Sequence, residues 1–407
     1  MTRNRSLMLG LGLMFTTLAA IAAYRMIAIT QADMWAEEDS AYALQWIPGH
    51  PPALIAMCEQ QLADGRIGEA QETARHLLSV APLEGRGFRM LAEAAALKDD
   101  GAQALALYKI AARRSPRDTR TRAWLTEHYL VTADYRAALV HIDVLLRTSP
   151  RHFGTLLRLL AQLAVDPAFA GELARLLERR PEWRQALLST LQNAKNPRGA
   201  DNVMSALRAE GGLSESEFDE WIAFLMRQGR WGEAYGRWAG TLDLKDAALP
   251  LVFNGDFEQP VTGRGFDWRL TRIPGVSLEF VRDGDAKGLS AHATFSGRRV
   301  AQANLEQQLL LAPGSYRFTA RIRADALRSD RGLEWVVVCS GPGDLVATSE
   351  RLDGTFEWRT IDMVVDIPIT GCPAQLLMIR NPVLSGSAQQ VSGDIWMDDV
   401  SIHVQRR

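Results

Sequence analysis

The chain has 407 residues, of which 47% are hydrophobic and 23% charged, and its formal net charge is −2. This length allows two or three domains, and the composition is typical of a folded soluble protein. Because acidic residues slightly outnumber basic ones, the chain has no cationic excess to neutralise phosphates, which argues against a nucleic-acid partner.

Residues 1–25 predict an export signal. Arg3 and Arg5 precede a charge-free stretch, Ser6–Tyr24, and Arg25 ends it. At ~1.5 Å per residue this stretch nearly spans the ~30 Å hydrocarbon core of a bilayer, and the preceding basic residues favour a cytoplasmic N-terminus. We expect a single-pass transmembrane anchor. Cleavage at the small residues Ala20–Ala23 would instead release an exported soluble protein.

Residues 26–46 are expected to form a linker, and residues 47–150 repeat with a period of 34 residues. Such a period is typical of stacked helical units. Prolines, small residues and apolar residues keep the same step: Pro48, Pro82, Pro116 and Pro150; Ala70, Ala104 and Ala138; Met57, Leu91 and Leu125.

The local signals within one period predict a helical hairpin. Pro51 and Pro52 are suited to open a helix, the pair Asp64–Gly65 breaks it, and Ile67–Val80 resumes with helical spacing until Pro82. The pattern resembles the tetratricopeptide repeat (TPR). That resemblance implies a solenoid whose groove binds protein partners, although a superhelix that only spaces its two ends apart is an alternative.

The period weakens after Pro150, but helical patterns continue over residues 151–248. The segment Gly229–Ala234 mirrors Gly65–Ala70, which favours one more hairpin of the repeat type. We therefore expect a solenoid over residues 47–248, clear in 47–150 and divergent in 151–248.

From residue 249 onward, strand-like runs bounded by Gly, Pro, Asn or Asp replace the helical pattern, and residues 249–407 predict an antiparallel β-sandwich. The fold class is therefore multidomain α + β. The expected strands are Leu251–Phe253, Val276–Phe280, Gln307–Leu311, Tyr316–Arg323, Trp335–Val338, Trp358–Val365, Leu376–Ile379 and Ile395–Val404.

The three cysteines fit an exported protein, in which neighbouring thiols oxidise. Cys339 ends one strand-like run and Cys372 lies beside another, so we predict a disulfide between them. Cys58 is expected to be a small buried side chain within a helix.

Three motifs of the C-terminal part, Asn254–Glu258, Leu311–Phe318 and Ile395–Ile402, resemble the jelly-roll carbohydrate-binding modules related to galactose-binding domains. The resemblance implies a structural calcium ion with Glu258 and either Asp398 or Asp399 among its ligands, completed by backbone carbonyls. The alternative is that these acidic residues only satisfy turns and backbone donors. We expect no other cofactor.

The same resemblance implies that exposed aromatic side chains stack on sugar rings. The candidates are Trp268, Tyr316, Trp335, Trp358 and Trp396. Trp268 and Trp396 lie in the fold-defining motifs and are expected in the core. Trp358, at a strand start, is the preferred glycan contact, with Glu357 and Arg359 as polar neighbours.

We find no histidine spacing typical of a metal site and no recognisable nucleophile–base arrangement, so the chain is expected not to be an enzyme. The layout of anchor, repeats and sandwich resembles proteins associated with bacterial exopolysaccharide or O-antigen loci. It implies a periplasmic scaffold, tethered to the inner membrane, in polysaccharide assembly or export. The alternatives are a carbohydrate-active lyase or hydrolase and an envelope assembly protein with no glycan role.

Overall fold

The computed structural model describes residues 2–242, 249–282, 288–341, 343–382 and 389–405. The side chains of residues 1–13, which include Arg3 and Arg5 of the predicted export signal, lie outside this description. The chain divides into two compact units, Met1–Leu213 and Ser214–Arg407.

The first unit begins with two helices, α1 (Thr2–Trp35) and α2 (Ser40–Trp46). They occupy the segment that the sequence predicted as a linker, so that expectation is wrong. Ala28, Ala32 and Ala36 are buried four residues apart on α1, a spacing that places them on one face of the helix. Within the described residues, no helix combines the length and the apolar character that crossing a membrane requires.

Three helical hairpins follow and confirm the predicted 34-residue period. Their helices are α3 (Pro51–Ala63), α4 (Ile67–Val80), α5 (Gly85–Ala96), α6 (Gly101–Arg114), α7 (Thr119–Val131) and α8 (Tyr135–Thr148). Ala70, Ala104 and Ala138 are buried where the helices of each hairpin meet. Asp100 and Asp134 cap the second helices of two hairpins, because each carboxylate accepts a backbone N–H three residues on.

The remainder of the first unit is also helical. A short 3₁₀ helix (Pro150–His152) leads into α9 (Phe153–Leu163), α10 (Pro167–Leu177), α11 (Arg184–Gln192) and α12 (Arg198–Ala209). Their apolar faces are buried, but their spacing along the chain departs from 34 residues, as the sequence indicated.

The second unit begins with one more helical hairpin, α13 (Glu215–Arg227) and α14 (Trp231–Ala239), and continues into the sandwich. Trp238 packs edge-on against Phe253, with ring centroids 5.2 Å apart, and lies 5.5 Å from Phe266. The Arg264 guanidinium lies 2.7 Å from the Asp219 carboxylate. This hairpin is therefore held to the sandwich. The expected domain boundary near residue 248 falls at residues 243–248, outside the described residues.

The described part of the sandwich has ten strands in two antiparallel sheets of five. The strands are β1 (Arg269–Leu270), β2 (Val276–Arg282), β3 (Leu289–Val300), β4 (Gln302–Leu309), β5 (Gly314–Ser329), β6 (Glu334–Cys339), β7 (Leu345–Thr348), β8 (Gly354–Ile367), β9 (Gln375–Arg380) and β10 (Gln389–Val404). The first sheet has the order β1-β4-β9-β6-β7 and the second β2-β3-β10-β5-β8. One apolar core lies between them. The α + β class and the antiparallel sandwich are confirmed.

The predicted disulfide is also confirmed. Cys339 at the end of β6 is bonded to Cys372 in the turn before β9, with their Cα atoms 5.0 Å apart. Cys58 is fully buried, as expected, and its thiol donates to the carbonyl of Ala70. By contrast, Leu251–Phe253 forms turns rather than a strand.

Candidate functional site

The second sheet has one face in the core and one face toward solvent, which we call the outer face. On β10, Ile395 and Met397 are fully buried, whereas Trp396 between them is only half-buried on the outer face. The prediction that Trp396 is a core residue is therefore wrong. The reason is the two-residue period of a strand, which puts neighbours on opposite faces.

Trp396 is the centre of a row of flat groups across three strands. The His292 ring on β3 stacks on the indole with centroids 4.2 Å apart and an interplanar angle of 2°. On the other side, the Arg323 guanidinium of β5 lies 4.6 Å from the indole centroid. Both are direct cross-strand neighbours of Trp396, and β10 lies between β3 and β5. We call His292, Trp396 and Arg323 the stacked row. Both faces of the indole are covered.

Polar groups surround the His292 end of the stacked row. Oδ1 of Asp394 accepts a hydrogen bond from the Thr294 hydroxyl at 2.7 Å and lies 2.9 Å from Nε2 of His292. Nδ1 of the same ring lies 3.3 Å from the Glu279 carboxylate. A neutral imidazole can donate to only one of these two carboxylates. Within the described residues, the hydrogen bonds of Asp394 use one of its two carboxylate oxygens, and its side chain is 32% exposed.

The residues that the sequence singled out lie on β8, at the edge of the same sheet. Trp358 is half-buried, and the Arg321 guanidinium lies 5.2 Å from its ring centroid. The indole N–H of Trp358 is buried and has no hydrogen-bond partner among the described residues. Glu357 is exposed.

Arg359 is also exposed, but its guanidinium is engaged by other groups. It lies 3.0 Å from the Glu350 carboxylate and 4.3 Å from the centroid of the Phe356 ring. The structure therefore places Trp358 beside the stacked row, with Arg321 and Arg323 on the neighbouring strand. It gives Trp358, Glu357 and Arg359 no common partner.

The other aromatic candidates are core residues. Trp268 and Trp335 are fully buried, and Trp268 confirms its prediction. Tyr316 is buried, with its hydroxyl donating to the carbonyl of Ala312. None of these three side chains is available to a sugar.

The predicted calcium ligands make protein contacts. Oε1 of Glu258 accepts the backbone N–H of Leu289 at 2.6 Å, and Oδ1 of Asp398 accepts that of Asp399 at 2.7 Å. Burial raises the pKa of Asp398 to about 6. In the described part of the chain, no group of three or more His, Cys, Asp or Glu side chains is placed to hold a metal ion. Calcium at Glu258, Asp398 and Asp399 stays a prediction that depends on backbone carbonyls.

Sequence reasoning missed His292, Thr294, Asp394 and Arg323. Strand β3, which carries the first two, has few large apolar residues and was not predicted as a strand. The alternation over Tyr316–Arg323 did place Arg321 and Arg323 on one face, which was the available signal.

Comparisons with known proteins give likeness to the C-terminal part alone. No family model and no curated protein matches the chain. A solved CBM4 carbohydrate-binding module is 16% identical, with a TM-score of 0.30, and covers 38% of this chain and 99% of its own. The CBM22-1 xylan-binding domain of Xyn10C from Paenibacillus barcinonensis is 15% identical over 38% of this chain and 93% of its own, with a TM-score of 0.27. TmCBM61, solved with β-1,4-galactotriose, is 16% identical over 39% and 100%, with a TM-score of 0.25. Identities and scores this low do not assign a function.

Proposed function

We propose that the C-terminal sandwich binds a glycan on the outer face of its second sheet. The observation that carries this proposal is the combination of the stacked row with Asp394, a partly exposed carboxylate that has a second oxygen for a ligand. Sugars are recognised by hydrogen bonds from planar polar groups combined with contacts to aromatic rings, and this surface provides both.

The covering of Trp396 determines how a sugar would bind. Because His292 and Arg323 occupy the two faces of the indole, a pyranose reaches its edge, or its face after Arg323 has rotated away. The Arg323 side chain extends from the middle strand of three, so rotation moves its guanidinium toward Trp358. We expect the glycan to lie across the strands from Asp394 toward Trp358, where Glu357 and Arg359 remain candidate polar contacts.

For the rest of the chain we propose a non-catalytic scaffold. Support comes from the hairpins of the first unit, whose 34-residue period matches the tetratricopeptide pattern and whose groove would hold protein partners. The basic residues and the apolar stretch of residues 1–25 support export, with a tether in the inner membrane and the bulk of the chain in the periplasm. A role in bacterial polysaccharide assembly or export combines these features. The exported location also agrees with the disulfide.

The rival functions make different predictions. A lyase or hydrolase would turn over a polysaccharide, whereas the proposed scaffold would bind it without cleaving it. An envelope protein with no glycan role would bind no polysaccharide.

The experiment is binding of the purified chain to an array of bacterial capsular and O-antigen polysaccharides, followed by titration of each ligand found. We expect Asp394→Asn to weaken binding about tenfold or more, because a hydrogen bond to a charged group contributes ~1.5–3 kcal/mol. Trp396→Ala is expected to weaken it by a similar factor.

Arg317→Ala is the matched control. Arg317 lies on the same face of β5, six residues from Arg323 and therefore about 20 Å along the strand. Circular dichroism spectra of the variants check that they fold. If the unsubstituted chain binds no polysaccharide, or if Arg317→Ala weakens binding as much as Asp394→Asn, the proposed site is wrong. Release of reducing or unsaturated ends would replace the scaffold with the enzyme.

A further inference from the structure

The first unit contains a groove of about 520 Å³ that none of the preceding proposals describes. It is lined mainly by the first helices of three successive hairpins, α3, α5 and α7. Glu59 and Leu62 come from α3, Glu93 from α5 with Leu97 directly after it, and Trp124 from α7. The groove thus combines apolar side chains with two carboxylates.

The carboxylates at its floor outnumber their cation. Arg89, whose side chain is 2% exposed, lies 2.6 Å from Glu59, 2.7 Å from Glu93 and 3.4 Å from Asp118. Arg120, 62% exposed, adds a second cation 3.4 Å from Glu59. Three carboxylates against two guanidinium groups leave this cluster net negative, and both glutamates remain partly exposed at 36% and 25%.

The acidic groups recur with the repeat. Glu59, Glu93 and Glu127 occupy one register, each 34 residues from the next. Exposed apolar side chains follow Glu93 and Glu127 by four residues, at Leu97 and Val131. Neighbouring packed helices lie ~8–10 Å apart, so the carboxylates recur at about 10 Å along the line of first helices. An extended peptide covers that distance in about three residues.

We propose that this groove binds an extended basic segment of a partner protein that carries Lys or Arg at every third position and apolar residues between them. The proposal rests on the protein-binding role proposed for the helical unit and names the chemistry of its partner. Each cation pairs with one of Glu59, Glu93 and Glu127, and the apolar residues contact Leu97 and Trp124. Arg120 occupies the position of one partner cation and competes with it.

The test uses three nonapeptides and the full chain, with binding measured by fluorescence anisotropy. The first is acetyl-Lys-Leu-Ala-Lys-Leu-Ala-Lys-Leu-Ala-amide, the second has Glu in place of each Lys, and the third has the composition of the first with its lysines adjacent. We expect the first to bind at least tenfold more tightly than the second and about threefold more tightly than the third. Its affinity should fall as salt rises from ~50 to ~500 mM, because exposed charge pairs are screened.

Variants distinguish the groove from general attraction to an acidic surface. Glu127→Gln is expected to weaken binding two- to fivefold and Arg120→Ala to strengthen it by the same factor, as exposed pairs contribute ~0.2–1 kcal/mol. Strengthening cannot result from misfolding. Glu72→Gln, an exposed glutamate on α4, is the matched control and should leave the affinity unchanged.

The proposal is overturned if no peptide binds, if the spaced and adjacent lysine peptides bind equally, or if Arg120→Ala weakens binding. Occupation of the groove by a second copy of the chain would also overturn it, and would appear as a dimer in sedimentation together with loss of peptide binding. If the helical unit captures envelope proteins but neither lysine peptide, the scaffold role stands and the basic partner is wrong.

Discussion

Replacing Gly265 with alanine tests how the hairpin of α13 and α14 is held to the sandwich. Gly265 has a φ of +58°, and a Cβ added there would lie 2.1 Å from Cδ1 of Trp238. Carbon atoms pack at ~3.5–4.0 Å, so the loop or the indole must move by more than 1 Å. Trp238 is itself buried between Phe253 and Phe266.

The cost has two parts. A left-handed backbone costs a residue with a Cβ roughly 1–2 kcal/mol. Displacing the indole adds part of the ~3–5 kcal/mol that deletion of a buried Trp costs, so we expect a total of about 3 kcal/mol. Gly263 is the matched control in the same loop, since its φ is +72° and no atom lies within 4 Å of its added Cβ. Gly263→Ala is expected to cost about 1 kcal/mol.

Urea unfolding of the full chain gives the change in free energy of unfolding for each variant. Hydrogen exchange of the peptides that contain Trp238 and Phe266 locates the change. We expect faster exchange there in Gly265→Ala than in Gly263→Ala. Equal unfolding midpoints and equal exchange in the two variants would refute the packing of Trp238 against this loop.

Three further results are expected from unfolding measurements. Replacing Cys339 and Cys372 with Ala should cost about 4 kcal/mol, the loop-entropy value for 33 residues, and reduction with dithiothreitol should reproduce the loss in the unsubstituted chain alone. Burial and the neighbouring Arg122 lower the pKa of His141 to about 4, so stability should fall by on the order of 2 kcal/mol as the pH drops from ~6.5 toward ~4. His141→Gln should abolish that slope, and an unchanged slope would contradict the assignment. Because burial raises the pKa of Asp398, stability in EGTA should fall as the pH rises from ~4 to ~6. Asp398→Asn should remove this loss, and a variant less stable than the parent at neutral pH would argue against it.

The helical hairpins could be predicted because their signals are local and recur. Residues 67–80 were predicted as a helix with the bounds of α4, since Gly65 and Pro82 punctuate it. The final hairpin looked like another repeat because Gly229–Ala234 mirrors Gly65–Ala70. Its partner is decided by Trp238 and two phenylalanines of a later loop, and such contacts leave no periodic trace in the sequence.

The candidate site was predicted less well. Ile395, Trp396 and Met397 are all apolar, so their pattern did not indicate which of them face the core. The packing of Ile395 and Met397 between the sheets decides it. Likewise, Asp394 and Thr294 lie 100 residues apart, and only the pairing of β10 with β3 brings them together.

The buried alanines of α1 have a mechanical consequence. The helix is continuous over 34 residues, about 51 Å, and its last turns are packed among the other helices through Ala28, Ala32 and Ala36. A torque applied to its first turns is therefore transmitted to the repeats, as along a rigid shaft, whereas a flexible linker would absorb it. Inserting one residue after Tyr24 would rotate the preceding turns by about 100° relative to the repeats without disturbing the packed alanines. Whatever holds the start of this helix thus also sets the direction in which the groove of the repeats faces.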